Sequence, residues 1–271
     1  MKTVASRDNA AFKAVAKLVA SASERRKAGL SVLDGTHLLA AFLDSGRTPE
    51  ELFVSRAGLD DAEVARLVER SAPARVTLLA DALYDSISTV ESPTGVIACV
   101  RPPPGRPAPP DARLALLLED IQDPGNVGTL LRSAAAAGAD HVLLSPRCAF
   151  AWSPKVLRAA MGANFALNIV EGADLAAWLA AYRGRSIALA GGGGASLYEL
   201  DLRGPIALLV GNEGAGLSPP LLAAASERAH IPMPGRIESL NAASAGSVAL
   251  FEVVRQRGFG GQRSLKAPWA H

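Results

Sequence analysis

Five polar side chains of this 271-residue chain stand where their types and spacing could do chemistry. Asn126 and Arg132 lie six apart in "DPGNVGTLLRSAAAAGAD", Glu213 lies in "GNEGAGLSPP", and Ser239 and Asn241 lie in "PMPGRIESLNAASAG". A carboxylate held in a glycine-rich turn is an active-site candidate. A plain turn built from Asn and Gly accounts for Glu213 equally well. Arg132 alone reads as a solvated arginine, and Asn126 as an ordinary helix-start residue. Ser239 and Asn241 are in reach of a ligand's polar atoms or merely cap a helix. Four histidines and two cysteines show no metal-ligand spacing, so no metal is expected.

These residues need elements to position them. Beyond residue 110, short apolar strands (113–118, 141–144, 166–170, 186–190, 205–210, 229–231) alternate with Ala-rich helices (near 125–137, 153–161, 173–182, 218–226, 239–257). Continuous apolar strands between helices predict an α/β fold with a parallel sheet covered on both faces. Ligands of such sheets bind at the carboxyl ends of the strands. In the first of these helices Val127, Leu130, Leu131, Ala134 and Ala135 form one apolar stripe. Arg132 falls across the helix from it. Ala242, Ala245, Gly246 and Ala249 form a stripe of small residues that lets another backbone come close.

The glycine run in "GGGGASLYELDL" tempts one towards a dinucleotide-binding loop. That loop must open a helix and be followed, roughly 20 residues on, by an acidic partner. Neither is legible, so Gly191–Gly194 reads as a flexible loop where backbone could approach a ligand.

The proline-rich "RPPPGRPAPP", residues 101–110, is the clearest boundary. It predicts two units, residues 1–105 and 106–271. The first reads as a small α/β domain with a helix over about 8–22, strands in "GLSVLDG", "EELFVSRAG", "RVTLLA" and "GVIACVRP", and helices at 35–45 and in "DDAEVARLVERSA". Net charge is only +2, too little to announce a nucleic-acid partner. Locally, Lys13, Lys17, Arg25, Arg26 and Lys27 crowd the first helix and the turn after it. That patch could meet phosphate; a solvated helix face is the more ordinary reading. Two cysteines do not make a disulfide framework, and no apolar run approaches the roughly 20 residues of a membrane span. A cytoplasmic protein without membrane association is expected.

Three segments together carry a resemblance. Asn126 and Arg132 in "DPGNVGTLLRSA", the stretch "GNEGAGLS", and "IPMPGRIESLN" occur in order over residues 113–257. They resemble the three motifs of the SPOUT superfamily, specifically its SpoU/TrmH branch of RNA ribose 2′-O-methyltransferases. "SRDNAAFKAVAKLV…ERRKAGLSVLDGTHLL" and "ESPTGVIACV" are similar to the RNA-binding domain, itself like a small ribosomal protein, that many rRNA-modifying members carry. "LDG" departs from the Glu-Gly common among relatives, with Asp34 keeping the charge.

The resemblance implies a deep trefoil knot in the C-terminal domain, an arrangement that topology rules alone would exclude. It implies S-adenosylmethionine as methyl donor, no metal, RNA (rRNA foremost) as substrate, and a homodimer through the knotted region. By matching position, Gly211, Ile231 and Leu240 would hold the donor, Gly191 would edge the adenosine pocket, and Leu209, Gly214 and Met233 would line it. Arg132, Asn126, Glu213, Ser239 and Asn241 would form the catalytic surface. Lys13, Lys17, Arg25, Arg26 and Lys27 would meet RNA. A guanidinium is not an ordinary base, so Arg132 is expected to polarise the 2′-hydroxyl, with Glu213 fixing it or accepting its proton. The rivals are a nicotinamide dehydrogenase using "GGGGAS", a non-catalytic RNA-binding member, and a tRNA methyltransferase.

Overall fold

The structure is a computed structural model and describes residues 2–258. In the N-terminal part, β1 (Lys2–Val4), α1 (Ala10–Ala20), α2 (Ala22–Ala28), β2 (Ser31–Asp34) and α3 (Thr36–Asp44) are followed by β3 (Glu51–Ser55) and α4 (Arg56–Leu59). α5 (Ala62–Arg70), β4 (Arg75–Leu79), α6 (Asp81–Asp85) and β5 (Val96–Val100) complete it. The strands form a mixed sheet in the order β1-β4-β3-β5-β2.

The single helix expected over 8–22 is two. Ser21 adopts an extended backbone at the end of α1, and its hydroxyl accepts from the Glu24 amide to start α2. One serine thus closes one helix and caps the next. The basic run Arg25–Lys27 is therefore helical rather than a turn. β1 and α6 were not legible: β1 is three residues long, and neither shows a period of its own.

The C-terminal part contains β6 (Leu114–Leu118), α7 (Pro124–Ala136), β7 (His141–Leu144), α8 (Pro154–Ala160), β8 (Asn168–Val170) and α9 (Leu175–Ala181). β9 (Arg185–Leu189), β10 (Ala195–Ser196), β11 (Ile206–Val210), α10 (Pro219–Ala224), β12 (Glu227–His230) and α11 (Ala242–Arg257) follow. Seven strands, all parallel, run in the order β10-β12-β9-β11-β6-β7-β8. All five residues of β6 and all five of β11 are buried. That explains their unbroken apolar sequences, since helices cover both faces. From β6 the chain moves outward to β7 and β8. It then returns to the other side of β6 with β9 and β11. The switch point lies between β6 and β11, where ligands of such sheets bind.

The two sheets share one apolar core, in which Phe42 of α3 meets Phe165 edge-on with ring centroids 5.3 Å apart. The proline-rich segment between them carries no helix or strand, yet it is pinned. The Trp178 indole donates to the Ala108 carbonyl at 2.9 Å, and Asn168 bonds both backbone groups of Arg106.

Candidate active site at the switch point

Asp123 caps α7, its carboxylate accepting from the Asn126 amide at 2.8 Å, with Pro124 in the first turn. Val127, Leu130, Leu131 and Ala134 are buried, whereas Arg132 is exposed. The apolar stripe is where the sequence placed it, and Arg132 faces outward. Its side chain has no hydrogen bond or ion pair among the described residues. Helical side chains lean towards the helix N-terminus. Arg132 therefore leans towards the end of α7 that carries Asn126.

Asn126 faces the loop after β11. Its Nδ2 donates to Glu213 Oε1 at 2.9 Å, and its Oδ1 accepts from Asn241 Nδ2 at 2.9 Å. Asn241 in turn caps α11, accepting from the Ala243 and Ser244 amides. A chain Asn241–Asn126–Glu213 thus joins three segments far apart in sequence. Partial burial pushes the Glu213 carboxyl up. The Asn126 amide and the backbone amides around it, including those of Asp123 and Gln122, outweigh this and hold it below its ordinary value. The group is an anion ready to accept or orient a proton.

The turn carrying Glu213 is itself built. Asn212 Oδ1 accepts from the Gly214 and Ala215 amides at 3.0 and 2.9 Å, and Asn212 Nδ2 donates to the Asp120 carbonyl at 2.8 Å. Asp120 has φ +57°, one of only two left-handed non-glycine residues among those described. Its carboxylate accepts from the Ser145 hydroxyl and from Arg147, which hold it below the usual carboxylate range despite burial. Strain of this kind persists where surroundings over-determine it, often at functional sites. Asp120 and Asn212 are positioning residues that sequence reasoning did not single out. The "NEG" turn hinted at Asn212, but nothing in "LEDIQ" marked a left-handed Asp.

The expected donor-binding positions divide. Gly211 is buried, and a Cβ there would lie 2.3 Å from Gly216 C and Leu217 N, so only glycine lets the turn close. Ile231 and Met233 are half-buried and Leu240 is exposed, all in the strandless stretch after β12. Ile237 (69% exposed) and Leu240 (39%) leave apolar surface open there. This suits the adenine and methionine portions of S-adenosylmethionine, beside a glycine-only turn that brings backbone close. Leu209 does not belong to this group. It is fully buried in β11, paired to Leu117 and Ala188 on either side, one layer below the sheet edge. Gly214 sits at the exposed turn tip, its Cβ position 3.7 Å from the nearest atom, so no close approach demands glycine there. Gly191 is exposed, with nothing within 4 Å of a Cβ. The glycine run leads to the two-residue β10 rather than a helix, which removes the geometry a dinucleotide loop requires.

Ser239 is exposed and precedes α11, which starts at Ala242 instead of 239 because Asn241 caps it. Within the small-residue stripe, Gly246 makes the close contact: a Cβ would meet Leu130 Cδ2 at 2.4 Å. Ala243 is buried in place of Ala242 and Ala245. In the basic patch, Lys13, Lys17, Arg26 and Lys27 are exposed, with Lys13 paired to Asp8 at 2.7 Å. Arg25 departs from the exposed, phosphate-meeting role expected of the patch. It is buried (6% exposed), and its guanidinium donates to the Leu18 and Val19 carbonyls at the end of α1. It serves the fold rather than a polyanion. No group of three or more His, Cys, Asp or Glu that could hold a metal occurs among the described residues, and no helix there is long and apolar enough to cross a membrane.

Fold and site together define an α/β protein that gathers polar groups from three segments at the carboxyl edge of a parallel sheet. Residues 113–251 match the SpoU rRNA methylase family, and residues 9–98 match the MRM3-like substrate binding domain. The chain belongs to the SpoU rRNA methylase family. It is 35% identical over 239 residues, 86% of each chain, to an uncharacterized tRNA/rRNA methyltransferase of Synechocystis sp.. It is 30% identical over 93% of its length and 99% of the relative's to the 23S rRNA (guanosine(2553)-2′-O)-methyltransferase of Bacillus subtilis. Among solved structures it superposes on an AdoMet-bound rRNA methyltransferase from Sinorhizobium meliloti with a TM-score of 0.83, at 28% identity, over 94% of this chain and 97% of that one.

Proposed function

We propose that the protein transfers a methyl group from S-adenosylmethionine to a ribose 2′-hydroxyl of rRNA. The observation that carries this reading is the Asn241–Asn126–Glu213 hydrogen-bond chain, whose Asn126 shares a helix with an exposed Arg132 that has no partner among the described residues. Gly211, Ile231, Met233 and Leu240 would hold the donor, with Gly191 at its edge, and the donor supplies an electrophilic methyl group.

The protein's own residues do the rest. Arg132 holds the 2′-hydroxyl, together with an adjacent phosphate, and stabilises the oxyanion that develops on attack. Glu213, kept ionised by Asn126 and backbone amides, accepts the hydroxyl proton or orients the group that does. Asn126 cannot rotate without losing a bond at one end, so it fixes Glu213 relative to α11. Ser239, exposed beside Asn241, offers a hydroxyl to the ribose. No metal is needed for this displacement.

Residues 1–105 present the RNA, through Lys13, Lys17, Arg26 and Lys27, to the methyl-transfer unit of residues 106–271. The return of the chain to set β12 between β9 and β10, and α11 against α7 and β11, is read as the trefoil knot. Tyr198, Ile237, Leu240 and Phe251 are exposed large apolar residues, all C-terminal to β10; they support a homodimer through that region. Cytoplasmic residence accords with an rRNA substrate.

The test is transfer of labelled methyl from S-adenosylmethionine to rRNA and, separately, tRNA, by wild type and Arg132→Ala. Label in rRNA that the variant abolishes is expected. Label in tRNA alone corrects the substrate class, and no label in either RNA despite donor binding refutes the enzymatic reading.

A further inference from the structure

The proline-rich segment has no part in the methyl-transfer site, yet it is held as a strap across a groove between the two sheets. The groove is a cavity of about 920 Å³ at the amino ends of β7 and β8. The methyl-transfer loops leave the opposite, carboxyl ends of the same sheet. Arg101 and Arg106 flank the "PPPG" of the strap, and Arg47, from the turn after α3, stands on the facing wall.

Each arginine is fixed at its root or head. Arg106 has both backbone groups bonded by the Asn168 side chain at 2.9 and 2.8 Å. Asn168 is oriented in turn by His141 Nδ1 at 2.9 Å. Arg101 Nε donates to Glu50 at 3.2 Å, and Arg47 Nη1 to the Ser45 hydroxyl at 2.8 Å. Gly105 packs so closely on β8 that a Cβ would lie 2.4 Å from the Ile169 carbonyl oxygen. The strap is therefore anchored on β8. The Arg106 guanidinium has no partner among the described residues.

The charged groups facing the groove are these three guanidiniums, Asp140 on its rim, and Glu50 on Arg101. Burial, together with the Arg106 guanidinium, holds the His141 imidazole below the ordinary histidine value against the pull of Asp140. Fixed arginines in an excess over carboxylates, around an open groove, fit phosphates spaced along a strand.

We propose that this groove holds the sugar-phosphate backbone of a single-stranded segment of the substrate RNA, with Arg47, Arg101 and Arg106 each meeting phosphate. The inference rests on the RNA methyltransferase reading for the identity of the RNA. The strap then becomes a second RNA contact, remote from the methyl-transfer site and separate from the lysines of α1 and α2.

The experiment measures anisotropy of a labelled single-stranded 12-mer RNA between 50 and 200 mM salt, for wild type, Arg106→Gln and the triple variant R47Q/R101Q/R106Q. Each lost single-strand phosphate contact should flatten the slope of log K against log salt by about 0.7. Arg106→Gln is expected to flatten it by roughly that amount. The triple variant should flatten it by roughly 2 and bind at least about tenfold more weakly at the lowest salt. Donor affinity should not change. Because the Arg106 side chain bonds nothing among the described residues, its variant reads out binding even if the triple variant loses stability. An unchanged slope in Arg106→Gln and in a folded triple variant overturns the proposal. Methyl transfer is not the readout. A flattened slope without any methyl transfer by wild type sinks the enzymatic reading and keeps the groove; transfer with an unchanged slope does the reverse.

Discussion

The side-chain amide of Asn126 donates to the carboxylate of Glu213 across 2.9 Å, although 87 residues separate them in the chain. β6 and β11 are neighbours, so the loops that follow them meet, and the amide becomes the largest single influence holding the carboxyl down. Asn126→Asp removes the donor and sets a second carboxylate against the first. Like charges at this distance raise one of the pair. The acid limb of kcat/KM should move to higher pH, with turnover near neutrality reduced on the order of 100-fold. A pH–rate profile superimposable on wild type would remove Glu213 from the reaction.

In the wild type the sign runs the other way. A carboxyl depressed in the folded state contributes stability that is present above the unfolded value, about 4.3 for Glu, and is lost as pH falls through the folded value. Turnover limited by Glu213 ionisation should therefore stay level from neutrality down to about pH 5. A rate profile measured over that range checks it, and a limb centred above pH 6 would assign the titrating group elsewhere.

Arg132→Ala should lower turnover by about 100-fold or more, while leaving donor affinity and thermal stability nearly unchanged. The side chain is exposed and bonds nothing among the described residues, and substitutions of that kind stay within about 0.5 kcal/mol. Paired kinetic and melting measurements separate the two quantities. A large melting shift with preserved turnover would reverse the assignment.

Gly211 and Gly214 lie in one motif but should respond oppositely. Alanine at 211 would press on backbone atoms 2.3 Å away, so the turn must open. Donor affinity is expected to fall at least tenfold by calorimetry. Alanine at 214 meets nothing closer than 3.7 Å and should bind donor as wild type does. Equal losses at both positions would show that the motif is read by something other than space.

Asp120→Gly and Asp120→Ala test the left-handed residue. Glycine keeps φ +57° at no steric cost but gives up the bonds to Ser145 and Arg147; alanine gives up both the bonds and the easy conformation. Alanine should destabilise by about 1 kcal/mol more than glycine. If the carbonyl that holds Asn212 is what matters, donor KM should rise more than kcat falls, and glycine should restore most of it. Indistinguishable kinetics for the two variants would confine Asp120 to its side chain.

Local chemistry made much of this molecule readable from its sequence. The apolar runs of β6 and β11, the cap and proline that start α7, and the stripe that turns Arg132 outward all follow from spacing and side-chain type. The five polar residues whose order resembles a known family were legible in the same way. The break at Ser21 was hidden because Ala and Lys on both sides favour helix. Arg25 looked like its neighbours because sequence shows charge but not where a side chain turns. Leu209 looked like a ligand contact because a motif is read as a string, whereas a strand's burial depends on the strands beside it. Only the tertiary structure decided that Asn241, Asn126 and Glu213 form one chain, that Asp120 is left-handed to hold Asn212, and that a proline-rich segment is a strap. Each depends on contacts between residues dozens of positions apart. Sequence periodicity carries the preferences of an element for a face. The order in which strands pair, and hence which loops meet, is set by the packing of the whole sheet.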